Sequence, residues 1–237
     1  MASIKYRDAY YTDIAEISHM LALAFRDDIV WGDVMHPYRH TYPDDLDLWF
    51  LQRLRVAFWD YRWKWLVAVD TDSKGKEAIV GCAQWHRKGK GGESMDLWWF
   101  DPRNLLKPLS AIAMKMHARI WPNRAGDPNK VDLFERVSPF YHHLWSGERQ
   151  ESWYLEVLGV HPDYQGKGIG IKLVQWGLDQ AEQEHVCASV MSAPGKDAFY
   201  QKCGFNIQEG RGGMGEGNPM AEMEGGNIWW KMPEPKR

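Results

Sequence analysis

Gln165-Gly166-Lys167-Gly168-Ile169-Gly170 separates an apolar stretch, Trp153–Val160 (WYLEVLGV), from an amphipathic one, Gly168–Glu184, with Ile171, Val174, Leu178 and Ala181 at helical spacing. The order reads as strand, glycine turn, helix. Glycines let the backbone approach an anion closely, and the first-turn N–H groups of the helix point outward with its dipole, so the turn can hold a diphosphate without a side-chain cation. Two better-known phosphate loops do not fit. A Walker loop needs Lys-Ser/Thr after its last glycine, where Ile171 stands, and Gly166, Gly168 and Gly170 do not match G-x-G-x-x-G.

Outward from this turn, Cys187–Met191 reads as a strand, Pro194–Cys203 as a short helix stopped by Gly204, and Phe205–Gln208 and Asn227–Met232 as two further strands. Upstream, residues 3–8 read as a first strand. Asp13 and Glu16 have the spacing of a capping box, opening a helix with Ile14, Ile17, Leu21 and Ala24 inward. A helix over Asp45–Phe58 carries Leu46, Phe50, Leu54 and Phe58, and strands follow at Trp65–Asp70 and Ala78–His86. Residues 88–149 read as a helical insertion: Lys88 and Lys90 in a solvated turn, then a helix with Leu105, Leu109, Ile112, Met116 and Ile120 on one face. A shorter helix near Val131–Ser138 follows, with Pro139 starting a new turn.

The chain has 237 residues, 44% hydrophobic and 14% aromatic, enough to bury a core and to exclude intrinsic disorder. A net charge of −3 disfavours electrostatic wrapping of nucleic acid. Three cysteines, odd in number and without metal-ligand spacing, exclude a disulfide scaffold and point to a reducing compartment. No signal-like or membrane-spanning apolar run is present, so the expectation is a soluble cytoplasmic protein of one domain, residues 1–237, without membrane partners. His36 and His40 flank Pro37, and His142 and His143 face opposite ways, so no metal site is expected.

Three linked motifs resemble the GNAT superfamily of acyl-CoA-dependent N-acyltransferases: Gln165-x-x-Gly168-x-Gly170, the preceding Val160-His161-Pro162, and the downstream Phe199-Tyr200-Gln201-Lys202-Cys203-Gly204-Phe205. The resemblance covers residues 152–209 well and the N-terminal third loosely. The stretch from Ser192 to Phe205 looks most like fungal members. It implies an α/β (α+β) fold with a mixed central sheet of six to seven strands flanked by helices; it says nothing about residues 88–149, whose own pattern is read as a helical insertion between the third and fourth strands.

What the resemblance implies for chemistry is specific. Acetyl-CoA is the expected cosubstrate, its pantetheine arm pairing with the backbone of Leu158, Gly159 and Val160. Its diphosphate is expected on Gln165, Gly166, Lys167, Gly168, Ile169 and Gly170. Glu156, expected to share a face with Tyr154 and Leu158, is the candidate general base, because an alkylamine must lose a proton before it attacks. Its alternative is an ion-paired strand residue. Tyr200 is the candidate acid for the leaving thiolate, or else a packing aromatic above the cofactor, and Cys203 reads as buried filler. The acceptor side is expected to involve Phe25, Trp31 and Tyr154, with Tyr38, Trp98, Trp99, Tyr141, Glu216, Glu222 and Glu224 nearby, suiting a small-molecule amine with an apolar body. Acetylation of a protein α-amine or lysine, and non-catalytic acyl-CoA binding, are the competing readings. Oligomeric state is left open.

Overall fold

The computed structural model describes residues 4–95 and 98–235, so Ser3, expected to start the first strand, lies outside the described residues. The chain runs β1 (Lys5–Asp8), α1 (Ile14–Phe25), α2 (Pro43–Ala57), β2 (Trp63–Thr71), β3 (Glu77–Lys88), α3 (Lys90–Glu93), α4 (Leu106–Ile120) and α5 (Leu133–Tyr141). It continues with β4 (Ser152–Val160), α6 (Ile169–Glu184), β5 (Cys187–Met191), α7 (Asp197–Cys203), β6 (Ile207–Arg211) and β7 (Asn227–Lys231). The strands form one seven-stranded mixed sheet in the order β1-β2-β3-β4-β5-β7-β6. Among the described residues, only β4 and β5 pair in parallel.

The sheet carries a core on each face. On one, Trp85, Trp153 and Leu155 pack with Leu173, Val174 and Leu178 of α6 and with Tyr200 and Phe205. Trp85 lies so close to α6 that a Cβ at Gly177 would overlap its ring, and its Nε1–H donates to the Leu173 carbonyl at 3.3 Å. On the other face, Ile14, Ile17 and Leu21 of α1 and Leu46, Phe50 and Leu54 of α2 pack on Val67, Val69 and Val157. Burying one such Leu or Ile side chain contributes about 1.5–3 kcal/mol.

Two geometric details of β4 set the functional region. Its pairing to β5 stops at Leu155 opposite Val190, so the two parallel strands diverge from there. Its pairing to β3 slips at the same place: Trp85 faces Leu155, Gln84 faces Val157, and Glu156 is the extra residue of a β-bulge. The bulge turns the faces over. Leu155 belongs to the α6-side core and Val157 to the α1-side core, while Leu158 and Val160 return to the α6 side. The expectation that Glu156 shares a face with Leu158 is therefore corrected; it stays with Tyr154 instead.

Other local expectations shift for physical reasons. The capping box at α1 does not form. The Asp13 carboxylate accepts from the Tyr10 amide at 2.7 Å and pairs with Arg7, while Glu16 accepts from the Ile79 amide at 2.9 Å. Pro139 lies inside α5, which continues to Tyr141. Lys88 is not in a solvated turn. It ends β3, because Arg87 beside it is buried in ion pairs with Glu151 (2.8 Å) and Glu184 (2.6 Å) that hold the strand on course. The stripe Leu105, Leu109, Ile112, Met116 and Ile120 does share one face, and that face is exposed.

His86, on β3, stacks on Trp63 with ring centroids 4.2 Å apart. Burial, then the nearby charges of Lys88 and Arg62, pull its pKa from 6.5 down to about 4, against a weaker opposing pull from Asp60. The folded state thus refuses a proton that the unfolded chain accepts, so stability is fully present above pH 6.5 and falls as pH drops toward 4, by up to about 3 kcal/mol. The carboxylates held low by their cations, such as Asp45 with Arg124, add their loss only at still lower pH. Thermal melts of His86→Phe, which keeps the stack, are expected to lose less stability between pH 6.5 and 4 than the parent protein, the remaining loss coming from buried His36, whose pKa burial also lowers.

Candidate active site

The glycine turn has the geometry its sequence predicts. Gly166 and Gly168 take left-handed φ of 75° and 80°, and open space surrounds the position of a Cβ at either one. Among the described residues, the N–H groups of Gly166, Lys167, Gly168, Ile169, Gly170 and Ile171 have no acceptor. The next amide, of Lys172, reaches the Gly168 carbonyl at 3.3 Å. The Gln165 amide is already used, donating to the Pro162 carbonyl at 3.3 Å, and its side chain ties the turn to the strand through a 3.1 Å bond to the Val160 carbonyl. Six free amides at the N-terminus of a sixteen-residue helix make a strong anion cradle. Lys167 folds back over Tyr164 onto the Asp163 carbonyl, so the cradle is mainly backbone.

The edge of β4 leads away from this cradle. The His161 amide donates to the Val80 carbonyl on β3. By alternation Gly159 faces β3 too, leaving the amide and carbonyl groups of Leu158 and Val160 directed into the gap that β5 has vacated. Gly159 has no room for a side chain, since a Cβ would run into Leu21. Phe199 of α7 packs 3.3 Å from the Cβ position of Gly170, which sets α7 against the cradle. Beside it Tyr200 is buried, its ring 5.1 Å from Phe199 and 6.0 Å from Phe205, and burial raises its hydroxyl far above the usual tyrosine value. The hydroxyl makes no hydrogen bond among the described residues and so stays protonated and unspent.

On the opposite face of the fork lies a cavity of about 490 Å³. Glu156 of the bulge and Tyr154 line it, with the end of β5 (Met191, Ser192) on one side, α5 on another, and Trp31 on a third. Glu156 is 3.7 Å from Arg53, whose guanidinium lies over the rings of Trp31 and Trp49. Lys88 sits over Trp145 (4.7 Å) and Tyr154 (4.9 Å), and burial pulls its ammonium pKa down while the charge of Glu156 partly restores it. Burial and then Glu156 push Tyr141 up to about 12 and Tyr154 well above the usual tyrosine value, so both phenols are neutral. Asp28, Glu135, Glu156 and Glu224 face the cavity against Arg53 and Lys88, which biases it toward a cationic guest. Asp197 braces the rim. Burial raises its carboxyl, but hydrogen bonds from Ser192, Trp229 and Asn227 prevail and hold it low.

Of the residues predicted for the acceptor side, Trp31, Tyr154, Tyr141 and Glu224 line this cavity. Phe25 stands behind Trp31, 5.5 Å between centroids, and Tyr38, Trp98 and Trp99 are exposed elsewhere. Tyr200 does not line it; it belongs with the cradle on the other face. Arg53, Lys88 and Glu135 were not foreseen. The three cysteines are buried free thiols, with Cys82 pushed up to about 12 and Cys187 and Cys203 to about 11 by burial, so none is primed as a nucleophile. Among the described residues, no cluster of His, Cys, Asp and Glu is gathered that could hold a metal ion, and no helix is long and apolar enough to cross a membrane.

Comparison with known proteins agrees with this layout. Residues 135–207, from α5 to the start of β6, match the family model of the Acetyltransferase (GNAT) domain. The whole chain superposes on a histone acetyltransferase HPA2 and related acetyltransferase from Corynebacterium glutamicum, with a TM-score of 0.58 at 18% identity, covering 100% of this chain and 99% of that one. An N-acetyltransferase from Staphylococcus aureus Mu50 gives a TM-score of 0.50 at 17% identity over 96% of this chain and all of that one. The chain thus has the GNAT fold, and its anion cradle, forked strands and α7 all fall within the segment that matches a GNAT acetyltransferase domain.

Proposed function

We propose that this chain moves an acetyl group from acetyl-CoA to the primary amine of a small molecule. The observation that carries the reading is one arrangement: six free amides at the start of α6, the open edge of β4, and a carboxylate-bearing cavity where β4 leaves β5. The cosubstrate's diphosphate would rest on the amides of residues 166–171 and its pantetheine arm along Leu158–Val160, delivering the thioester through the gap. A β4 amide facing the gap polarises the thioester carbonyl.

The acceptor enters the cavity as an ammonium ion, drawn by its carboxylates. Beside Glu156 it meets the positive charges of Lys88 and Arg53, which favour the neutral amine. Glu156 takes the proton, directly or through water. Once Glu156 has passed that first proton to solvent, nitrogen attacks the carbonyl carbon and the C–S bond breaks as the C–N bond forms. The nitrogen gives its second proton to Glu156, and the departing thiolate collects a proton from Tyr200, which solvent then restores. The aromatic walls, Trp31, Phe134 and Trp145, suit an amine with an apolar or aromatic body.

The test is release of free thiol from acetyl-CoA by the full chain. Release that depends on added small amines is expected. Faster turnover of peptides with a free α-amine or lysine would transfer the reading to a protein acceptor. Cofactor binding with no amine-dependent release would reduce the chain to an acyl-CoA-binding protein.

A further inference from the structure

Nine of the fourteen large hydrophobic side chains that are exposed among the described residues fall between positions 98 and 121. They are not scattered. The stripe from Leu105 to Ile120 runs along the outer side of α4, each member 57–65% exposed, over about 22 Å of helix. Trp98 and Trp99, at 70% and 72%, precede its N-terminus, and Trp121, at 54%, ends it. The helix is inverted relative to a helix packed on a core. Its polar contacts face inward to α2 and the turn after it: Ser110 to the Arg55 carbonyl (3.0 Å), His117 to Gln52 (3.2 Å) and Lys107 to Asp60 (2.6 Å). No residue of α4 is buried.

The charge on this face narrows what covers it. Residues 102–126 contain no Asp or Glu. Lys115 and Arg119, one turn apart, border a shallow groove with Ile112, Met116 and Ile120, and neither has an ion-pair partner among the described residues. A second copy docking by two-fold symmetry would set these cations against their own copies, with no carboxylate on α4 to offset them. An apolar stripe flanked by unpaired cations and by tryptophan at both ends instead matches the surface of an anionic bilayer. There the stripe enters the acyl boundary, tryptophan sits at headgroup level, and Lys and Arg reach the lipid charges.

We infer that α4 is a peripheral membrane-docking helix that seats this protein on an anionic lipid surface. This departs from the expectation of no membrane partner, and it stands independently of the acetyl-transfer reading. The experiment is co-sedimentation of the full chain with phosphatidylcholine vesicles and with vesicles containing about one third phosphatidylserine. Binding to the anionic vesicles alone, weakened by salt, is expected. Lys115→Gln with Arg119→Gln should lower the partition coefficient about 30-fold, from about fivefold per basic residue. Ile112→Ser with Met116→Ser should lower it at least about tenfold. All four positions are exposed, so these variants should keep the parent's circular dichroism, melting temperature and thiol release with a soluble amine. Three results would overturn the inference: no binding to anionic vesicles, equal binding to both compositions, or light scattering at twice 27.6 kDa that falls to the monomer value in Ile112→Ser. The last would show a second copy covering the face.

Discussion

Gly168→Val is expected to weaken binding of CoA by about 10²- to 10³-fold, measured by calorimetry on folded protein. Gly168 has φ of 80° and no atom within 4 Å of its Cβ position, so the new side chain has room in the protein itself. What it occupies is the space before the free amides, and it pulls the turn from the left-handed conformation that aims them. Hydrogen bonds to a charged group are each worth about 1.5–3 kcal/mol, so losing two would account for the effect. Backbone strain alone would also lower stability, and a control separates the two. Gly75, in the turn between β2 and β3, has φ of 81° and equally empty surroundings, but it lies outside the site. Gly75→Val should show a similar fall in melting temperature with CoA affinity unchanged. If the two variants bind CoA alike, the cradle assignment is lost.

The contrast between these glycines shows what a sequence can disclose. Both turns are visible as glycine among polar residues; only the one at 165–170 is followed by a long amphipathic helix, and that local pattern marks the turn whose amides the fold leaves without acceptors. The periodicity of α1, α2 and α6 and the left-handed stop at Gly204, with φ of 110°, were legible for the same reason: short-range stereochemistry decides them. The bulge at Glu156 was not, because it is a mismatch of register with β3, some seventy residues earlier, and leaves no mark in WYLEVLGV. Lys88 was misread because a charged run, His86-Arg87-Lys88, looks like a solvated turn unless the distant carboxylates of Glu151 and Glu184 are known to meet Arg87. In the sequence, Pro139 reads as the start of a new turn. It costs one helical bond near the end of α5, and the packing of Val137 and Tyr141 evidently outweighs that loss. The stripe on α4 was found correctly as a helical face; periodicity says that residues share a side, not what the side meets.

Glu156→Gln decides whether the carboxylate at the bulge takes a proton or merely balances Arg53. The substitution keeps size and hydrogen-bonding shape and removes the charge. As a general base, Glu156 contributes about 10²- to 10⁴-fold, so kcat/KM for a small amine should fall by that order while CoA affinity is unchanged. The pH dependence carries the distinction. An alkylamine is mostly protonated below about pH 10, and with Glu156 as base the parent protein would remove that proton at the site. The variant must await amine that has already lost its proton in solution, so its rate should climb about tenfold per pH unit and the deficit should shrink as pH rises from 6 toward 9. Ion pairing alone gives another pattern. Arg53 lies 3.7 Å away and is partly exposed, and such a pair is worth little, so Arg53→Gln and Glu156→Gln would then cause the same slight loss at every pH. A flat, matching pair of profiles would remove Glu156 from the chemistry and leave the cavity with Lys88 and its aromatic walls as the element to which proton removal must be reassigned.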